Sequence, residues 1–218
     1  MNMTPIDWPP VLDLLKSLVT AMVFHPEDLK IDHKALSASL EVRIQANAAD
    51  TSRLIGKGRQ NHKALSTLFA VICRAKGFRF YLARIVEPAV GEAGEGFVFL
   101  PDPAWPRERI KDLLCDVARA IFPSTHDPLV LLADSIDDDR TTLEVYVSPK
   151  ESREVIELVR PELDRIFGGI GSVQGRKLAV DVIPQRSDPA IAPQRLGESK
   201  EIPEVQPKSA SGRWAKEV

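Results

Sequence analysis

The stretch Ser52-Arg53-Leu54-Ile55-Gly56-Lys57-Gly58-Arg59-Gln60-Asn61-His62-Lys63-Ala64-Leu65 holds the residues best suited to chemistry. A short helix is expected to end at Ile55, and a second to run from about Gln60 to Lys76 before Gly77 stops it. Two glycines at such a junction let the backbone bend sharply and approach a ligand, because no Cβ intervenes. The first N–H groups of the second helix have no intrahelical partner and lie at the positive end of its dipole, so the junction suits a phosphate. Arg53, Lys57, Arg59 and Lys63 add positive charge, and Asn61 and His62 fall on the first turn beside it. A surface histidine without a role would fit position 62 equally well. Leu54, Ile55 and Leu65 could line a groove, although their helical spacing is that of core residues.

Charge is concentrated around this segment. From Arg43 to Arg84 there are nine Lys or Arg and one acid, Asp50, in a chain whose net charge is −2. A local excess of cations is what a polyanion backbone requires, whereas the overall balance says nothing of partners. The plainer alternative is a solvated basic face balanced by acids elsewhere in the fold. Few aromatics lie near the glycine loop, so base stacking there is expected to be minor.

The elements that must hold this loop occur twice. Trp8-Pro9-Pro10-Val11-Leu12-Asp13-Leu14-Leu15 is answered by Trp105-Pro106 and Ile110-Lys111-Asp112-Leu113-Leu114, each opening an amphipathic helix that reaches about Phe24 or Phe122. Proline suits a first helical turn, where its missing N–H would be unpaired anyway. Alternating segments follow, Leu40 to Ile44 and Leu143 to Val147, with weaker strands before them near Leu29 to His33 and Leu129 to Asp134. Period-two alternation rich in β-branched residues marks half-buried strands. Helical regions beginning near Asp50 and Glu151 lead to closing strands, Phe78 to Val86 and Lys177 to Ile183. Each copy therefore reads helix, strand, strand, helix, helix, strand. An α+β fold is expected, with three-stranded sheets carrying helices on one face.

The Ile55-Gly56-Lys57-Gly58 junction, followed by a helix with Lys63-Ala64-Leu65, resembles the small bacterial type II KH proteins of the KhpA family. The element order is that family's order, over roughly Pro9 to Pro88. The resemblance implies binding of single-stranded RNA, with the Gly-X-X-Gly loop clamping the backbone of about four nucleotides whose bases enter an adjoining apolar groove. By position it implicates Arg53, Ile55, Gly56, Lys57, Gly58, Arg59, Asn61, His62 and Lys63, with no catalytic residue, cofactor or metal. Single-stranded DNA is the other occupant compatible with these groups. The fourth motif place is Arg59 rather than glycine. A left-handed conformation there would cost about 1–2 kcal/mol. The position opens a helix, so a helical conformation, which merely adds a cation, is expected.

The second copy lacks the loop. Aligned on Ser152-Arg153, it contains no Gly-Lys-Gly, and Arg140 to Ile183 holds seven basic and seven acidic residues. It reads as a degenerate KH-like domain over 105–184, kept for packing or for docking a protein partner. Gly168, Gly169 and Gly171 follow a helix and precede a strand, which suggests a helix stop. Residues 8–88 form the intact domain and 89–104 a linker, in which Phe97 to Leu100 could add a short strand. From Gln185 to Val218 the composition is that of a disordered tail.

Other classes find little support. No apolar run approaches the roughly 18–20 residues that span a bilayer, and no leader pattern opens the chain, so a cytoplasmic location without membrane association is expected. Cys73 and Cys115 stand within apolar helical patterns and are expected to be buried thiols. No nucleophile elbow, metal-spaced His or Cys cluster, or Walker loop is present, so an enzyme is not expected. An adaptor that keeps the fold without strong RNA binding is the alternative, favoured by Arg59 and the altered second copy.

Overall fold

The computed structural model describes residues 8–36, 38–86, 105–135 and 140–185. The linker 89–104, with its possible strand, and the tail beyond Gln185 lie outside the described residues. In chain order the elements are α1 (Pro9–Ala21), β1 (Lys30–Leu36), β2 (Ser39–Gln45), α2 (Ala48–Ile55), a 3-10 turn (Lys57–Arg59), α3 (Gln60–Ala75) and β3 (Arg79–Val86). They continue with α4 (Arg107–Ile121), β4 (Leu129–Ser135), β5 (Arg140–Val147), α5 (Arg153–Val173) and β6 (Lys177–Pro184). The fold is α+β, with two three-stranded mixed sheets ordered β1-β2-β3 and β4-β5-β6.

Both sheets pair alike: the first two strands are antiparallel and the last runs parallel to the middle one. Alternation decides which face is covered. Leu40, Val42 and Ile44 of β2 and Phe80, Leu82 and Ile85 of β3 are buried under helices, while Arg43, Arg79 and Tyr81 are exposed on the opposite face. The strand pairing shifts register between Val42 and Arg43, leaving Ala83 as an extra residue, so Arg84 rather than Ala83 stands opposite Arg43. Such a bulge re-aims the side chains that follow it. Without it, strict alternation would turn Arg84 into the core.

The first helices are anchored by their tryptophans. The Trp8 ring meets Phe78 edge-on with centroids 4.1 Å apart, and the Trp105 backbone N–H donates to Gln174 Oε1 at 2.6 Å. Both contacts tie the start of a helix to the residues just before a closing strand. The two halves share one hydrophobic core, with α3 packed against α4 and α5. Cys73 is fully buried, whereas Cys115 is only partly so, its Sγ 3.9 Å from the Pro128 carbonyl. Burial pushes the Cys73 thiol up to about 12.

The second half departs from expectation in one respect. Where two helices and a loop stand in the first half, a single helix, α5, runs from Arg153 through Gly168, Gly169 and Gly171 to Val173. The glycines are therefore not a helix stop. A Cβ on Gly171 would lie 2.7 Å from the Arg176 carbonyl and 2.8 Å from Leu178 Cγ, so the bare backbone is what lets the return to β6 pass so close. The turn itself is made at Gly175, where φ is +65°. Gly171→Ala is expected to cost about 2 kcal/mol through overpacking. A thermal melt of the variant should show a midpoint lowered by roughly 4–8 °C.

Candidate functional site

The bend is present. Helix α2 starts after Asn47, whose side chain accepts the Asp50 N–H at 2.9 Å, and closes with the Gly56 N–H on the Ser52 carbonyl at 2.9 Å. Gly56 then adopts φ 71°, ψ 165°, a region essentially reserved for glycine. Its lack of a side chain matters a second time, because a Cβ there would fall 2.9 Å from Asn61 Cγ. Asn61 occupies that space to donate from Nδ2 to the Arg53 carbonyl at 2.8 Å, joining the end of α2 to the start of α3. Asn61 is thus engaged with the loop's own backbone.

Gly58 and Arg59 follow in the left-handed region, at φ 61° and 62°. Arg59 is the sole non-glycine residue with positive φ among the described residues. The helical conformation expected for it from sequence is therefore wrong: α3 begins one residue later, and Arg59 precedes it as a left-handed cap with its N–H on the Gly56 carbonyl at 3.0 Å. The Lys57 and Gly58 amides make no backbone hydrogen bond among the described residues. Lys57, Gly58, Arg59 and Lys63 are exposed.

Arg53 and Asp50 support this bend rather than face solvent beside it. The Arg53 guanidinium lies over the Phe24 ring, 4.1 Å from its centroid, and reaches Ser172 Oγ of α5 at 3.4 Å. Asp50 is wholly buried and accepts the Phe24 and His25 N–H groups at 2.8 and 2.9 Å, fastening α2 to the end of α1. The lone acid of the basic stretch is thereby removed from the surface. Helix α5 passes close underneath, where a Cβ on Gly169 would lie 4.0 Å from Asn61 Nδ2.

Beside the bend an open groove of about 370 Å³ is lined by Ile55, Arg59 and His62 on the helical side and by Ala83 to Val86 on the strand side. Leu54 and Leu65 are wholly buried and belong to the core; Ile55 alone of the three apolar candidates reaches the groove. The strand wall was missed by the sequence reading. Its signal was Arg84 itself, a cation at the place in β3 where the alternation of Phe80 and Leu82 calls for a buried residue.

His62 is half-buried against β3. Burial, and next the Arg59 charge, press its ring below the usual histidine range, opposed by a hydrogen bond to the Leu82 backbone. The unfolded chain therefore takes up this proton at higher pH than the folded one. Among the described residues no helix is long and apolar enough to cross a membrane.

The chain is 31% identical over 55 residues to the RNA-binding protein KhpA of Bacillus subtilis (strain 168), a match that spans 25% of this chain and 68% of that relative. The chain belongs to the KhpA family. No family model matches it. The remaining three quarters of the chain have no counterpart in that match.

Two measurements test the site's internal construction. Arg59→Gly relieves the left-handed strain and should raise stability by about 0.5–1 kcal/mol, after allowance for the greater freedom of glycine in the unfolded chain. A urea titration would show it as a higher midpoint at unchanged slope. Lowering the pH below about 6.5, the ordinary histidine value, should reduce stability progressively until the depressed folded value is passed, whereas above about 6.5 this group contributes nothing. His62→Gln should flatten that part of the pH profile.

Proposed function

We propose that the chain is a non-catalytic RNA-binding protein that grips the backbone of a single strand with Gly56 to Arg59 and the start of α3. The observation that carries this reading is the exposed left-handed bend itself. It presents the unbonded Lys57 and Gly58 amides and the Lys57, Arg59 and Lys63 cations above an apolar groove. Amides and cations together complement phosphate oxygens, and the groove offers a place for the bases beside them. The likeness to an RNA-binding protein supports the same reading. In this arrangement Lys57, Arg59 and Lys63 meet phosphates, Gly56 and Gly58 permit close approach, and Ile55 and His62 contact bases. Arg53 and Asn61 position the bend.

Residues 8–88 then form a type II KH domain, and 105–184 a degenerate copy in which the continuous helix α5 takes the place of the helix, bend and helix. The matching strand order and pairing of the two sheets support this. With no bend and no glycine cradle, the second copy buttresses the first through Gly169 and Ser172.

Substitution of Lys57 and Arg59 together by Asp should weaken binding of a short single-stranded RNA by ~10-fold or more, read by fluorescence anisotropy. Three phosphate contacts on a single strand predict that wild-type affinity drops roughly 20-fold between 50 and 200 mM salt. Equal binding by wild type and variant, or an affinity indifferent to salt, would exclude the loop as the site.

A further inference from the structure

The groove does not end at the β3 edge. Val86 and Arg84 line it, and both belong to the row that continues along β3 onto the outer face of the first sheet, past Tyr81 to Arg79. Among the described residues no helix covers that face. Tyr81 is 51% exposed, which leaves most of one aromatic side chain in solvent between two arginines. Arg79 and Arg84 form no ion pair among the described residues, and Arg43, opposite Arg84 on β2, is held only by an exposed contact to Glu41 at 3.4 Å. On β1, Asp32 stands opposite Arg43 and Lys34 opposite Glu41, and Glu41 is in turn the β2 neighbour of Tyr81, so that the acids on this face are Asp32 and Glu41. Over the face as a whole Lys34, Arg43, Arg79 and Arg84 outnumber these two acids.

The corresponding face of the second sheet is different. Leu129 and Leu131 are exposed there beside Tyr146, Glu144 and Asp181; Tyr146 is half-buried and its hydroxyl donates to Glu144 Oε2 at 2.8 Å, and no comparable row of arginines flanks it. The basic, aromatic surface is thus particular to the sheet that carries the bend. It also depends on the bulge at Ala83, which brings Arg84 outward so that groove and sheet face share a residue.

We infer that the outer face of β3 is a second contact for the same RNA strand. On this assignment, nucleotides leaving the groove cross the sheet edge at Arg84, and one base stacks on Tyr81 while Arg79 and Arg43 meet the adjoining phosphates. The inference rests on the RNA reading above and extends it from a grip on about four nucleotides to a longer track. Tyr81 lies roughly 10 Å along the strand from Arg84, within reach of the next nucleotides of the same chain. An aromatic face between cations serves single strands without regard to sequence, because every base presents a π-face.

The test compares full-length wild type, Tyr81→Ala and Tyr81→Phe for affinity to a four-nucleotide and a ten-nucleotide single-stranded RNA at one salt concentration. The wild type should bind the longer RNA more tightly. Tyr81→Ala should lose ~5-fold or more on the longer RNA and nothing on the shorter, and Tyr81→Phe should behave as wild type. A ten-nucleotide affinity unchanged in Tyr81→Ala overturns the second contact while leaving the grip at the bend intact. Equal losses on both lengths overturn it too, since Tyr81 would then act through the groove or the fold. If wild type binds neither RNA, the RNA reading itself fails and this extension with it.

Discussion

The hydrogen bond from Asn61 Nδ2 to the Arg53 carbonyl, made in the space that a Cβ on Gly56 would fill, fixes the conformation on which the site depends. It crosses the junction between α2 and α3 and holds the two helices at a bend instead of letting them merge into one. Once they are held, the intervening residues have few choices: Gly56 must take a conformation closed to other residues, and Gly58 and Arg59 must turn left-handed to hand the chain to α3. The second half shows the alternative within the same molecule, since without the glycines and the asparagine the chain runs straight through as α5.

Around this junction, charge and packing serve separate ends. The acid that precedes the bend, Asp50, is spent inside on two backbone N–H groups, and Arg53 of the same helix is stacked on Phe24. What is left outside is positive. Burial of a carboxylate is tolerable only with its oxygens satisfied, and here each receives a backbone donor at 2.9 Å or less. The same contacts that stabilise the junction thus also clear acids from its surface.

Much of this was legible in the sequence. Alternation in Leu40 to Ile44 and Leu143 to Val147 announced the central strands, the Trp-Pro pairs announced the first helices, and Gly56 and Gly58 announced the bend. What could not be read depended on partners distant in sequence. Arg59 looked helical because its left-handed state is imposed by the closure at Asn61, and nothing in the residue type signals that. Gly168, Gly169 and Gly171 resembled a helix stop because glycine at a close backbone crossing and glycine at a helix end share one letter. Only the approach of Arg176 and Leu178 tells them apart. Asp50 counted as surface charge until the chain end of α1 came to meet it.

The shared core has a consequence for stoichiometry. Helix α3, which follows the bend, is covered along its inner side by α4 and α5 of the same polypeptide rather than by a separate subunit. A lone helix-and-sheet lobe would need a neighbour at sufficient concentration to shield that surface, and its assembly would then vary with dilution. Here the neighbour is tethered, so the bend keeps its support on dilution.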